Sequence, residues 1–229
     1  MTTTTNAAYA AYVLPFALFL VGGYVEGLEP LAAYYPWAYG TKIAAVVGAL
    51  WWGRRHYPRW QGHGLVLGVV AGVVGGGLWL LLSAFDPLAP LLAALPDGLR
   101  PGTRAGFDPF TAITDPAGRA AFLAVRLAGL IVVVPLMEEL FWRGFLARFL
   151  LDNDFQQVPL GKFTPTTFAV VTLCFVAVHP EITAALVWGA GINLLLLRTR
   201  NLWSCVLAHA ASNLVLGVYI LATGAWTLW

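Results

Sequence analysis

Leu65 to Ala84 is a run of twenty residues without one charged side chain, and Ala120 to Met137 comes close to the same length. About 20 apolar residues cross a bilayer as a helix. Inside lipid the backbone must satisfy its own hydrogen bonds, so such runs leave few folds open. Composition agrees: 59% of residues are hydrophobic, 10% are charged and the mean hydropathy is +0.75. A soluble domain of 229 residues would not keep such a surface in water. The expected fold class is all-α, a polytopic transmembrane helix bundle. Cys174 and Cys205 both lie in apolar runs and form neither a disulfide framework nor a zinc spacing. Met1 to Asn6 lacks the positive start of a secretory signal, so the first apolar run is expected to stay as a helix.

Spans are expected near Ala8 to Gly23, Trp37 to Trp52, Leu65 to Ala84, Ala120 to Leu150, Thr166 to His179, Ile182 to Leu197 and Leu202 to Ala225. That makes about seven, and eight if Leu88 to Leu95 forms a short extra one. Tryptophans such as Trp37, Trp51, Trp52 and Trp203 sit near the span ends, where an indole prefers the headgroup region. Arg54, Arg55, Arg59, Arg148, Lys162, Arg198 and Arg200 fall at the even-numbered connections, and Lys42, Arg100, Arg104 and Arg119 at the odd ones. The positive-inside rule then puts the N-terminus in the cytoplasm. Gly68, Gly72 and Gly76, four apart on the third span, form a small-residue stripe for close helix packing. The polar stretch Asp86 to Gly118 is expected to cover the bundle or admit substrate. No nucleic-acid patch exists, and the net charge of +2 follows from loop placement.

Three clusters of polar residues lie within these spans. Met137 to Arg148 begins Met-Glu-Glu-Leu-Phe-Trp-Arg, and carboxyls at that depth are costly. Glu139 and Arg143 are four apart and share a helix face, so they can pair, whereas Glu138 points about 100° away and is the less neutralised. Pro135 frees a carbonyl one turn earlier and favours a kink. Phe175 and His179 share a face, so the phenyl ring can hold the imidazole. His209 and Asn213, again four apart, project side by side. Each pair has a plain packing reading: a helix lock, a structural histidine, helix glue. Unrelated packing motifs would not be expected to bring carboxylate, imidazole and amide into adjacent spans. At ~1.5 Å per residue, Glu138 lies ~21 Å from the turn at Asp152 and His179 ~21 Å from the turn at Pro165, which is one level. His209 lies only ~12 Å from Asn201, so one helix must protrude or the turns must end at different heights.

In this order the residues resemble the family of CAAX proteases and bacteriocin-processing enzymes (CPBP), also called the abortive-infection family, which includes the Ras-converting CAAX endopeptidase. Its pattern stands here as Glu138-Glu139-Leu-Phe-Trp-Arg143, Phe175-Val-Ala-Val-His179 and His209-Ala-Ala-Ser-Asn213. A narrower similarity is to the bacterial CAAX-protease-related proteins that accompany exosortase systems. The resemblance is good over Ala120 to Val215 and slight before it. It divides the chain into 1–119, N-terminal helices and polar loop, and 120–229, a CPBP-like catalytic core. It implies an intramembrane glutamic-type endopeptidase acting on a peptide or membrane-protein substrate in a bacterial inner (plasma) membrane, with no cofactor, metal or nucleic acid. Glu138 would activate water with His179, His209 and Asn213 would stabilise the oxyanion, and Glu139, Arg143 and Phe175 would position them. Such chemistry is sensible in itself, since donors fixed in a dry site stabilise developing charge strongly. Three rivals stay open: a zinc site built from the glutamates and histidines, a Cys205–His209 nucleophile pair, and a non-catalytic scaffold, immunity factor or proton-coupled transporter.

Overall fold

The computed structural model describes residues 5–96, 98, 100, 102 and 104–229, and among them only helices, turns and irregular segments occur, with no strand. Met1–Thr4, part of the N-terminal stretch that lacks the positive start of a secretory signal, lie outside the described residues. The main helices are α1 (Asn6–Glu26), α2 (Tyr35–Gly53), α3 (Leu65–Ala84), α4 (Pro116–Phe149), α5 (Pro165–Ala177), α6 (Ile182–Thr199) and α7 (Leu202–Thr223). All except α2 and α5 are long and apolar enough to cross a membrane. The 13 residues of α5 reach only about 20 Å, short of a ~30 Å hydrocarbon core. The stretch considered for an eighth span contains a helix of 5 residues, Ala89–Ala93, which cannot cross.

Local chemistry sets the ends. Thr5, Asp115 and Asn201 cap α1, α4 and α7 with side-chain oxygens that accept backbone N–H bonds. Thr164 and Thr167 form a reciprocal capping box ahead of Pro165 at the start of α5. Within α4, Gly129–Val133 and Leu140–Leu146 are π-helical. The first follows from Pro135. Val134 N–H already bonds to Gly129 O in the wide π register, so the next acceptor in line, Leu130 O, faces a proline with no N–H to give. Asn213 on α7 fills that vacancy, its Nδ2 donating to Leu130 O at 2.8 Å.

The glycine stripe packs as its spacing implies. A Cβ on Gly68, Gly72 or Gly76 would run into the backbone carbonyl of Ser204, Ala208 or Ser212, so α3 lies directly on the α7 backbone. On the other side α1 crosses α4, with Phe16 stacked on Phe141 at 4.1 Å and 10°.

The two ends of the bundle are knit separately. At one, Tyr12 donates to His56 O, Tyr57 to Ala11 O and Tyr9 to Asn153 O, while the Arg148 guanidinium binds the carbonyls of Gly144, Gln156 and Val158. Asn201 is fully buried here, donating to Gln61 O and His63 O at 3.0 and 2.6 Å. The turn into α7 is thus recessed beneath the 57–64 connection. At the opposite end the polar stretch after α3 ties to the start of α6 through Arg104–Glu181 at 2.8 Å and through the Thr183 hydroxyl donating to Asp86.

Candidate active site

Glu138 and Glu139 are adjacent in sequence and separated in space by the turn of α4. Glu138 lines a cavity of 610 Å³; Glu139 does not, and its side chain is fully buried behind it. The same cavity is lined by His179, His209 and Asn213, so the three sequence clusters converge on one chamber.

Behind the chamber runs a continuous polar network. Glu139 Oε1 accepts from Arg143 Nη1 at 3.3 Å and also from His209 Nδ1 at 2.9 Å. The sequence assigned Glu139 to Arg143 alone, and in the structure its carboxylate is shared. The reason is packing: α7 brings His209 to the same carboxylate oxygen that the i, i+4 partner reaches. Arg143, fully buried, donates from Nε to Asn193 Oδ1 at 2.9 Å and from Nη2 to Gly189 O at 3.2 Å, and its guanidinium lies 5.1 Å from the Phe175 ring. Asn193 Nδ2 donates to Thr172 Oγ1 at 3.1 Å, and that hydroxyl to Phe168 O at 2.9 Å. Asn193 and Thr172 were not among the residues picked from sequence. A buried amide in the middle of an apolar span was the available signal.

The two histidines have fixed orientations. His179 stacks on Phe175 at 4.2 Å and 27°, and its Nδ1 lies 2.8 Å from Phe175 O. A carbonyl only accepts, so Nδ1 carries the hydrogen and the neutral ring leaves Nε2 as an acceptor. Trp79 meets this ring edge-on at 5.6 Å, and Trp188 meets His209 in the same way at 5.9 Å. The Nδ1 of His209 faces a carboxylate, so it too carries a hydrogen, and in its doubly protonated form the ring also offers Nε2–H. Asn213 spends one amide hydrogen on Leu130 O and keeps a second. Glu138 Oε2 is buried without a hydrogen-bond partner.

Cys205 is buried, does not line the chamber, and directs its sulfur at Ile192 O at 3.9 Å, away from a nucleophile's position. Among the described residues no three His, Cys, Asp or Glu side chains converge in a way that would hold a metal ion.

Residues 120–215 match a family model described as type II CAAX prenyl endopeptidase Rce1-like. This part of the chain is similar to the Rce1-like family. At family level this similarity supports a membrane endopeptidase of the CAAX-protease type. No curated protein and no solved structure matches it. The Rce1-like segment runs from the first turns of α4 to the middle of α7 and so contains Glu138, His179, His209 and Asn213. The chamber extends beyond it: α1, α2 and the last residues supply Phe16, Glu26, Lys42 and Trp229 to its walls.

Proposed function

We propose that Glu138 and His179 activate a water for attack on a peptide bond, with His209 and Asn213 holding the oxyanion. The observation that carries this reading is the convergence of these four side chains on one chamber while Glu139 and Arg143 stay behind it. A water between the two would give one hydrogen bond to the Glu138 carboxylate and one to His179 Nε2, which leaves a lone pair for the carbonyl carbon. As the oxygen–carbon bond forms, Glu138 takes the proton. The new oxyanion accepts from His209 Nε2–H and from the free amide hydrogen of Asn213. When the carbon–nitrogen bond breaks, the proton on Glu138 passes to the leaving amine, which restores the carboxylate. Phe175 and Glu139 position the two imidazoles, and Arg143 positions Glu139.

We infer also that the enzyme sits in a bacterial inner membrane with its N-terminus in the cytoplasm. The support is the excess of Arg and Lys in connections 54–64, 150–164 and 198–201 over those of the opposite end.

The test compares peptide termini of the membrane proteome in cells carrying the wild type, Glu138→Gln and His179→Ala. Termini present only with the wild type are expected, at equal membrane abundance of all three proteins. If no terminus depends on Glu138, the hydrolytic reading fails and a scaffold or transport role takes its place.

A further inference from the structure

The chamber has one open end and one closed end, and the two differ in charge. Its exposed lining residues are Leu20 and Gly23 in the last two turns of α1, and Gly27, Ala105, Gly106 and Val178 in or beside the connections between α1 and α2, α3 and α4, and α5 and α6. None of its lining comes from connections 54–64, 150–164 or 199–201. Towards those basic connections the chamber is floored by rings: Phe16 stacks on Phe141 and meets Trp142 at 4.9 Å, and Phe145 meets Phe155 at 5.0 Å beneath them. Tyr12 packs on Phe155 at 5.1 Å and donates to His56 O, which ties this floor to the basic connection. Interiors packed in this manner leave no passage for a chain.

The shortness of α5 adds to the asymmetry. His179 follows a helix that starts at the basic end and stops about 20 Å further on, and α6 begins at Ile182, so the α5–α6 hairpin turns back after less than the ~30 Å of a hydrocarbon core. The space above that hairpin is the vestibule of the chamber, bordered by Arg104 through its 2.8 Å pair with Glu181. Lys and Arg counts in short connections orient membrane helices, and here they assign the cytoplasm to the closed end.

We propose that the chamber opens to the non-cytoplasmic side of the membrane and that its substrate is a polypeptide segment exposed on that side, such as the outer flank of a membrane span or an exported chain held at the surface. This rests on the hydrolytic reading for the word substrate, and on geometry and loop charge alone for the side of opening. A protein anchored to the cytoplasmic face cannot reach Glu138, because the aromatic floor lies between.

Single cysteines test the side directly. With Cys174 and Cys205 replaced by alanine, Ala105→Cys marks the rim of the chamber and Gly62→Cys marks the basic end, where an added Cβ meets nothing within 4 Å. Intact cells are treated with a membrane-impermeant maleimide, and a second sample is permeabilised first. Ala105→Cys is expected to label in both samples, and Gly62→Cys only after permeabilisation. The reverse pattern overturns the proposal. Should the cysteine-free background fold poorly, the same pair in the natural background serves, because Cys205 is buried and the unmodified protein reports any labelling of Cys174. The Glu138-dependent termini provide the second arm and are expected in non-cytoplasmic segments. Termini in cytoplasmic segments overturn the proposed substrate. Outside labelling of Ala105→Cys without any Glu138-dependent terminus upholds the opening and removes the hydrolytic reading, so the two failures are told apart.

Discussion

The two faces of α4 around Met137 to Arg143 carry the same residue type to opposite ends. On the back face Glu139 reaches Arg143 and His209, and Arg143 reaches on to Asn193 and Gly189. On the chamber face, one residue earlier, Glu138 keeps an oxygen with no partner at all. Burying a charge in a membrane bundle is costly unless it is paired. The back face meets part of that cost through the two bonds to Glu139 Oε1, although Glu139 Oε2 has no partner, whereas the chamber face leaves Glu138 Oε2 unmet at the position where a reacting group is needed. A polar network behind a reactive site fixes the donors so that they need not reorganise when charge develops.

Substitutions should separate the faces. The largest effect is expected on the chamber face: Glu138→Gln keeps the shape, removes the base and lowers cleavage by about 10²–10⁴-fold, with the thermal midpoint of the purified protein unchanged or higher. A midpoint well below wild type would mean that Glu138 belongs to the architecture, and the contrast would collapse. On the back face Arg143→Ala leaves the Glu139 carboxylate with His209 as its only partner and is expected to cost about 3–5 kcal/mol, read as loss of folded protein in the membrane. Asn193→Ala strips one acceptor from Arg143 and one donor from Thr172, for about 1–3 kcal/mol in unfolding experiments. Normal stability in that variant would show that the network ends at Arg143. The smallest effects belong to the basic end. His56 serves through its backbone carbonyl and His63 makes one exposed contact with Thr199 O, so His56→Ala and His63→Ala should each stay within about 0.5 kcal/mol and leave the Glu138-dependent termini in place.

Much of this contrast is legible in the sequence alone. The i, i+4 spacing of Glu139 and Arg143 and the 100° offset of Glu138 follow from helix geometry alone, and the structure keeps both. The Gly68, Gly72 and Gly76 stripe likewise announced a close helix contact. The sequence reading was less able to say where partners would come from. The bond from His209 to Glu139 spans 70 positions, and no local period points to it. Pro135 suggested a kink. What it produces is a π-helical register whose spare carbonyl recruits Asn213 from another helix, a choice made by α7 and invisible within α4. The burial of Asn201 has the same origin, since its amide is held by carbonyls from a connection far away in the chain.

The amino-acid sequence by itself determined the solvent, the helical class and the chemical inventory, because hydropathy, helix period and residue type act at short range along the chain. The tertiary structure decided which of two neighbouring carboxylates is bound and which is bare, and at which end of the bundle the chamber opens. Both depend on what the other helices bring to the spot. Pairing inside a membrane is settled by whichever partner lies within hydrogen-bond reach, and that reach is set by packing between helices, on which sequence spacing is silent.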